Sequence, residues 1–360
     1  MYRLAVVILS LASALVAGPI GFIQINLASD VPGRAQFTDP DLVNAWGMAA
    51  SGASPVWIGA NGTGKSVLYN GAGVKQGLIV TMAGDGSVTG VAFSNVAGSF
   101  NGDTFLFANE DGTIGGWRGA LGTVAETLQV GSTANVYKGF SDATIGGNVY
   151  AYAANFRNAT IDVLKGNAGA ANLIGTFTDP NLPAGYAPFN IENLGGVLYV
   201  TYAVQNGTKK DDVAGAGNGI VDVFDLQGTF LRRLATNGVL NSPWGLALAP
   251  AEFGDVGGAL LVGNFGDGTI NAYNPTTGAF IQTLTDPSGN TISIDGLWAL
   301  QFGNGGAFGS PSTLYFTAGP NDESHGLFGQ LSQAPEPATW GVGGVSLLAL
   351  LVGRRVRNAR

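Results

Sequence analysis

Four oxygen-bearing side chains stand in or just ahead of short apolar runs. Asn44 precedes Ala45-Trp46-Gly47, Asn241 precedes Ser242-Pro243-Trp244-Gly245, Asp295 precedes Gly296-Leu297-Trp298, and Asn190 lies in Pro188-Phe189-Asn190-Ile191. Gathered around one opening, such oxygens would suit a hard cation such as Ca2+, which takes many oxygen ligands. The same residue types also cap turns through their own backbone, and Trp packs well between sheets. Both readings stay open on the residues alone.

Two other patterns carry potential chemistry. Phe37-Thr38-Asp39-Pro40 recurs as Phe177-Thr178-Asp179-Pro180, with an echo at Thr285-Asp286-Pro287. These are either three carboxylates around one mouth or three rigid Asp-Pro turns that steer the chain. The one histidine, His325, follows Asp322 and Glu323. It is a candidate base beside carboxylates, or a solvated turn residue. There is no Gly-x-Ser-x-Gly elbow and no His-Glu-x-x-His pair, and with no Cys the chain has neither thiol nucleophiles nor disulfides. The stretch 209–219, Lys-Lys-Asp-Asp followed by Gly-rich sequence, reads as an insert that forms a mobile or partner-facing loop.

The elements that must position these residues repeat. A short apolar run ending in a small residue and Asn recurs at Asn61, Asn109, Asn155 and Asn264, with Tyr199-to-Ala203 and Tyr315-to-Gly319 filling the remaining places. A spacing of 40 to 50 residues is the mark of propeller-type arrays. Each run is followed by a second, often alternating with period two, through Gly- and Asp-rich turns suited to hairpins. With one strand before and one after each pair, the expectation is six units of four strands. The sixth unit lacks its fourth strand at the C-terminal end. Residues 22–28, Phe-Ile-Gln-Ile-Asn-Leu-Ala, resemble the fourth strand of the fifth unit, Phe280-Ile281-Gln282-Thr283-Leu284, and would supply it. The predicted fold is therefore an all-β, six-bladed β-propeller closed by an N-terminal strand, which leaves no raw sheet edge in the ring.

Composition agrees. The 360 residues include 58 Gly and are 46% hydrophobic but only 11% charged, as expected of many short buried strands joined by tight turns. The net charge of −8 becomes more negative once the arginine-rich end is set aside, which argues against nucleic acid as a partner.

The two ends read as addresses. Residues 1–21 have one Arg and then an apolar run followed by small residues, a signal-peptide pattern. Residues 334–360 hold Pro335-Glu336-Pro337, an apolar stretch expected to form a transmembrane helix, and Arg354, Arg355 and Arg357 as a membrane stop on the cytoplasmic side. The propeller is then residues 22–333. This tail resembles the PEP-CTERM sorting signal of Gram-negative bacteria, which implies an exosortase-type peptidase as partner. The body, through motifs such as Glu110-Asp111-Gly112-Thr113-Ile114 and Gly263-Asn264-Phe265-Gly266-Asp267-Gly268, resembles an uncharacterised bacterial family of NHL-like propellers, often carrying that tail.

Body and ends together predict an exported surface or extracellular-matrix protein, tethered to the inner membrane and facing the periplasm before processing. Its scarcity of catalytic motifs favours a non-enzymatic interaction module for polysaccharide or protein. The alternative, implied by resemblance to calcium-dependent lactonase and phosphotriesterase propellers, is a Ca-dependent hydrolase with its site at the channel mouth formed by Asn44, Asn190, Asn241 and Asp295.

Overall fold

A computed structural model describes residues 21–335, and within them the chain forms six antiparallel sheets arranged around an axis. The sheets are consecutive in sequence. The inner strands are Ala45–Ala49, Val88–Phe93, Tyr137–Ile145, Tyr186–Leu194, Pro243–Leu248 and Leu297–Phe302, and each packs on the inner strand of the next blade, the sixth returning to the first. The expected six-bladed propeller is thus the observed fold. No helix among the described residues is long and apolar enough to cross a membrane. All of the expected signal peptide (residues 1–21) but Gly21, and the tail from Glu336 onward, including Pro337, Arg354, Arg355 and Arg357, lie outside the described residues.

The ring closes as the pattern of residues 22–28 predicts. Phe22–Ser29 pairs antiparallel with Leu327–Gln333, so blade 6 is built from both ends of the propeller. Ala28 is fully buried, and Ser29 donates from its buried hydroxyl to the Gly326 carbonyl at 2.7 Å. At the same edge Ala334 N–H donates to Gly21 O at 2.9 Å, so the two described ends meet.

Second strands are apolar on both faces because a neighbouring blade covers each face. Val56–Ala60, Phe105–Asn109, Leu260–Asn264 and Leu314–Ala318 are buried at every residue. This explains continuous apolar runs where a one-sided sheet would alternate. The Asn closing the second strand of blades 2, 3 and 5 ties its blade to the loop that enters it. Asn109 donates to Ala83 O, Asn155 to the Asn135 side chain and Asn264 to Val239 O.

Blade 3 departs from expectation with three strands, Tyr137–Ile145, Asn148–Asn155 and Thr160–Lys165. The segment that would supply a fourth is drawn to blade 4. Gly175 and Phe177 donate their N–H groups to Gln227 O and Gly228 O, and the Phe177 ring, on a backbone at φ 52°, packs on Tyr152 and Phe224. Burying this aromatic across the seam wins over completing a ladder beside it.

Inner strands approach closely because small residues face the next blade. A Cβ on Gly90 would lie 2.3 Å from Phe140 Cβ, and one on Gly139 would lie 2.5 Å from Asn190 Cα. Only glycine permits that contact, since real Cβ atoms do not come within 3.0 Å of such neighbours.

Candidate ligand-binding channel

Near its start every inner strand carries one extra residue relative to its partner strand, a β-bulge. The residues at these bulges are Trp46, Thr89, Lys138, Phe189, Trp244 and Trp298. A bulge re-aims its side chain, and here several turn to the axis and meet across it. Trp46 of blade 1 stacks on Trp298 of blade 6 at 3.7 Å between ring centroids. Phe189 of blade 4 and Trp244 of blade 5 each lie 5.8 Å from Trp298. The Trp244 indole N–H donates to the carbonyl of Lys138, two blades away, at 2.9 Å. Phe265 stacks on Trp298 at 3.9 Å, and Phe156 packs on Phe189. These rings plug the channel at the end where the inner strands begin.

Lys138 is the one cation of this ring. Its ammonium lies 5.0 Å from the centre of the Trp46 ring, pairs with Glu110 and reaches Asp211 at 3.3 Å. Burial is the largest influence and works against its charge, but the carboxylates of Glu110, Asp211 and Glu323 together outweigh it, and the pKa rises above that of an ordinary lysine. Glu323 faces the same charge, and burial pushes its carboxyl up. Glu323 sits at the end of three successive left-handed residues, Asn321, Asp322 and Glu323, with φ of 58°, 50° and 62°. Such a run is costly for residues bearing Cβ, and it brings the Glu323 carboxylate to Asn44, whose amide donates to it at 2.7 Å.

The insert 209–219 folds onto this mouth instead of projecting away. Asp211 reaches Lys138, Lys210 lies 3.7 Å from Glu110, and Gly215 N–H donates to the Asn241 side chain at 2.7 Å. The expected free loop is a strap held at several points.

The four residues named for a cation are placed separately. The Asn44 carbonyl oxygen accepts from Trp298 Nε1 at 3.1 Å while its amide serves Glu323. Asn190 donates to Trp244 O at 2.9 Å inside the wall. Asn241 holds Gly215 and donates to Asp267, and exposed Asp295 accepts from Asn321 N–H. No two of the four share a hydrogen-bond partner among these contacts. Their spacing from the tryptophans explains part of the separation. The left-handed residue two places before each Trp is Asn44, Ser242 or Gly296, so Asn241 and Asp295 stand one residue out of phase with Asn44.

The Asp-Pro repeats do not gather at a mouth either. Buried Asp39 accepts from Tyr69 and Lys75, buried Asp179 pairs with Arg233, and exposed Asp286 caps its own turn at Ser288 and Asn290. His325 is oriented by Asp30, which takes its Nδ1 at 2.8 Å and the Gly326 N–H at 2.8 Å.

Beyond the plug the channel opens into a cavity of about 570 Å3, lined by the last residues of all six inner strands. Its walls include Met48, Val91, Leu246 and Leu300, with Phe93 and Phe302 at the strand ends. Two acidic side chains stand in this lining, Asp142 of blade 3 and Glu192 of blade 4, and no Lys, Arg or His stands with them. Burial pushes Asp142 up to about 7 and Glu192 up to about 8, the latter helped by the nearby Asp142 charge. Asn193 ties the two strands together, donating from its side chain to Asp142 O at 3.0 Å and from its N–H to Ser141 Oγ at 3.1 Å. The carbonyl oxygen of Gln301, also in the lining, is buried without a partner. Sequence reading missed Asp142 and Glu192. The available signal was an acidic residue within the inner strand of two adjacent units.

No family model matches the chain. Two proteins of Acanthamoeba polyphaga mimivirus are similar to it over most of its length. "Uncharacterized protein R648" is 34% identical over 330 residues, covering 86% of this chain and 80% of that protein. "Uncharacterized protein L690" is 32% identical over 326 residues, covering 82% of each. Among solved structures, an auxiliary nutrient binding protein from Bacteroides ovatus aligns with a TM-score of 0.52 at 12% identity, covering 88% of this chain and 78% of that one, a likeness of fold.

Proposed function

The chain belongs to the family of the mimivirus proteins R648 and L690, and from that premise we propose that it is a ligand-binding propeller whose ligand enters the channel cavity on the side away from the tryptophan plug. The observation that carries this reading is the cavity itself. A space of about 570 Å3, closed behind by stacked aromatics and holding two acidic groups without a cation, has the size and mixed lining of a small-molecule site. The test is a thermal-shift screen of the full chain against a panel of small polar solutes, repeated with Thr144→Trp. Thr144 is exposed in the lining, and a bulky side chain there closes the opening. A solute that stabilises the parent and not the variant supports the site, because a ligand of the folded state raises its stability. Shifts that survive Thr144→Trp place binding elsewhere.

Export is the second part of the proposal. It is supported by the leader-like residues 1–21 and the PEP-CTERM-like tail. Cleavage near Pro335-Glu336-Pro337 by an exosortase-type peptidase rests on the tail's resemblance alone, and the relatives named above are viral. The meeting of Gly21 and Ala334 at one edge of blade 6 supports removable ends, since the two points of attachment lie together there.

The competing reading is a Ca-dependent hydrolase at the mouth of Asn44, Asn190, Asn241 and Asp295. It requires Asn44 and Asn241 to surrender the hydrogen bonds that their side-chain oxygens accept from Trp298 and Gly215. Calorimetric titration with Ca2+ separates the two: heat lost in Asn44→Ala but retained in Thr144→Trp favours the hydrolase.

A further inference from the structure

We propose, resting on the cavity reading above, that the ligand is an uncharged, hydroxyl-bearing ring of monosaccharide size, gripped by the Asp142 and Glu192 carboxyls acting as hydrogen-bond donors and faced by the rings of Phe93 and Phe302. Four features of the lining converge on this class. The acidic pair straddles the seam between blades 3 and 4, where Asn193 fixes one strand against the other. The lining holds no cation, so an anionic ligand finds no counter-charge there. The buried Gln301 carbonyl oxygen has no partner and supplies an acceptor for a hydroxyl. The aromatic rings are positioned and half-open to the space. Phe93 packs on Phe105 at 5.2 Å, and Phe302 meets Phe253 edge-on at 4.9 Å. An apolar wall with a few convergent polar groups suits a sugar ring, which has apolar C–H faces and a polar rim.

The acid pair also sets a direction for pH. Asp142 and Glu192 are the only titratable groups in the lining, with Tyr150 and Tyr152 on the strand behind Asp142 and Tyr199 on the strand behind Glu192. A carboxyl that keeps its proton can donate to a hydroxyl; once ionised it only accepts. Binding therefore weakens as the pH rises through the range in which the pair ionises, whereas binding of a metal cation strengthens.

The experiment is calorimetric titration of the full chain with glucose, galactose and xylose, and separately with CaCl2, at about pH 5.5 and about pH 9.5, on either side of the pair's ionisation. The expected result is that at least one sugar binds at the lower pH and loses roughly tenfold or more in affinity at the higher pH, as loss of a hydrogen bond in a dry site implies. Glu192→Gln, which keeps a neutral donor at that position at both pH values, should lose less affinity across the range than the parent, the remaining loss coming from Asp142. Thermal unfolding of each variant confirms that it is folded. Sugar affinity that is equal at both pH values overturns the donor role. Absence of sugar heat, or Ca2+ heat that grows with pH and disappears in Glu192→Gln, overturns the ligand class. In those cases the cavity reading itself still stands or falls on the Thr144→Trp screen, which does not depend on the solute being a sugar.

Discussion

Trp46 and Trp298 stack with ring centroids 3.7 Å apart and planes 14° from parallel, although 252 positions separate them in the chain. The pair joins the first blade to the last at the axis, while Phe22–Ser29 joins the same ends at the rim. The ring is thus fastened at two radii. Trp298 also touches Phe189, Trp244 and Phe265 and is 1% exposed. Trp298→Ala should cost about 3–5 kcal/mol, the range for deleting a large buried aromatic. Urea unfolding measures it. A loss under ~1 kcal/mol would mean that the plug is not part of the core.

Lys138 differs from its neighbours in the bulge ring because its worth depends on what faces it. Its side chain is 4% exposed, against Glu110, Asp211 and Glu323. Lys138→Met leaves three carboxylates around an apolar side chain. The expected loss is about 3 kcal/mol or more, because breaking a buried pair strands the remaining charge. Adding Glu110→Gln should recover part of that loss, and a double-mutant cycle on urea midpoints reads the coupling. A double variant as unstable as the sum of the singles would show that the two side chains do not act as a pair.

The architecture was more legible than the site, for a physical reason. Strands covered on both faces leave long apolar runs, and those runs recur at a fixed period, so six blades and the closing role of residues 22–28 could be read directly. The fourth strand expected of blade 3 is missing because the segment after its third strand is drawn across to blade 4, which only the three-dimensional position of Phe224 and Gly228 shows. The mouth residues were matched by their Asn and Asp side chains, whereas the left-handed residue sits two places before each Trp. Asn44 therefore corresponds to Ser242, and Asn241 falls one residue out of phase. Asp142 and Glu192 are 50 residues apart, and nothing local announces that each ends up in one cavity without a cation.

Gly139 tests the closeness of the inner strands. A Cβ there would sit 2.2 Å from Asn190 Oδ1 and 2.5 Å from Asn190 Cα, so the backbone of blade 4 must move. Gly139→Ala should destabilise by about 1–3 kcal/mol or more, as overpacking does. Gly77→Ala is the matched comparison. Gly77 lies in an outer strand with nothing within 4 Å of the added atom, and its change should be neutral within roughly 0.5 kcal/mol. Equal effects at the two positions would mean that the close approach of the blades does not depend on the missing side chain at 139.

The protonated pair in the cavity makes stability fall as pH rises. Burial lifts Asp142 to about 7 and Glu192 to about 8, whereas both titrate near ~4 in an unfolded chain. Between those limits the folded state holds protons that the unfolded state has released. More protons bound in the folded state means a negative slope of unfolding free energy against pH. Below about pH 4 both states are protonated and the pair imposes no cost; above about pH 8 the cost is complete. Glu192→Gln removes one ionisation from the cavity and also relieves Asp142 of a like charge. The variant should match the parent near pH 4 and fall less steeply up to about pH 8, leaving the contributions of Asp142 and of buried Asp222, itself pushed up to about 8 by burial and by Asp179. Urea midpoints taken at unit steps of pH give both curves. Parallel curves would show that Glu192 is already ionised in the folded protein, and the carboxyl-donor role of the cavity pair would go with it.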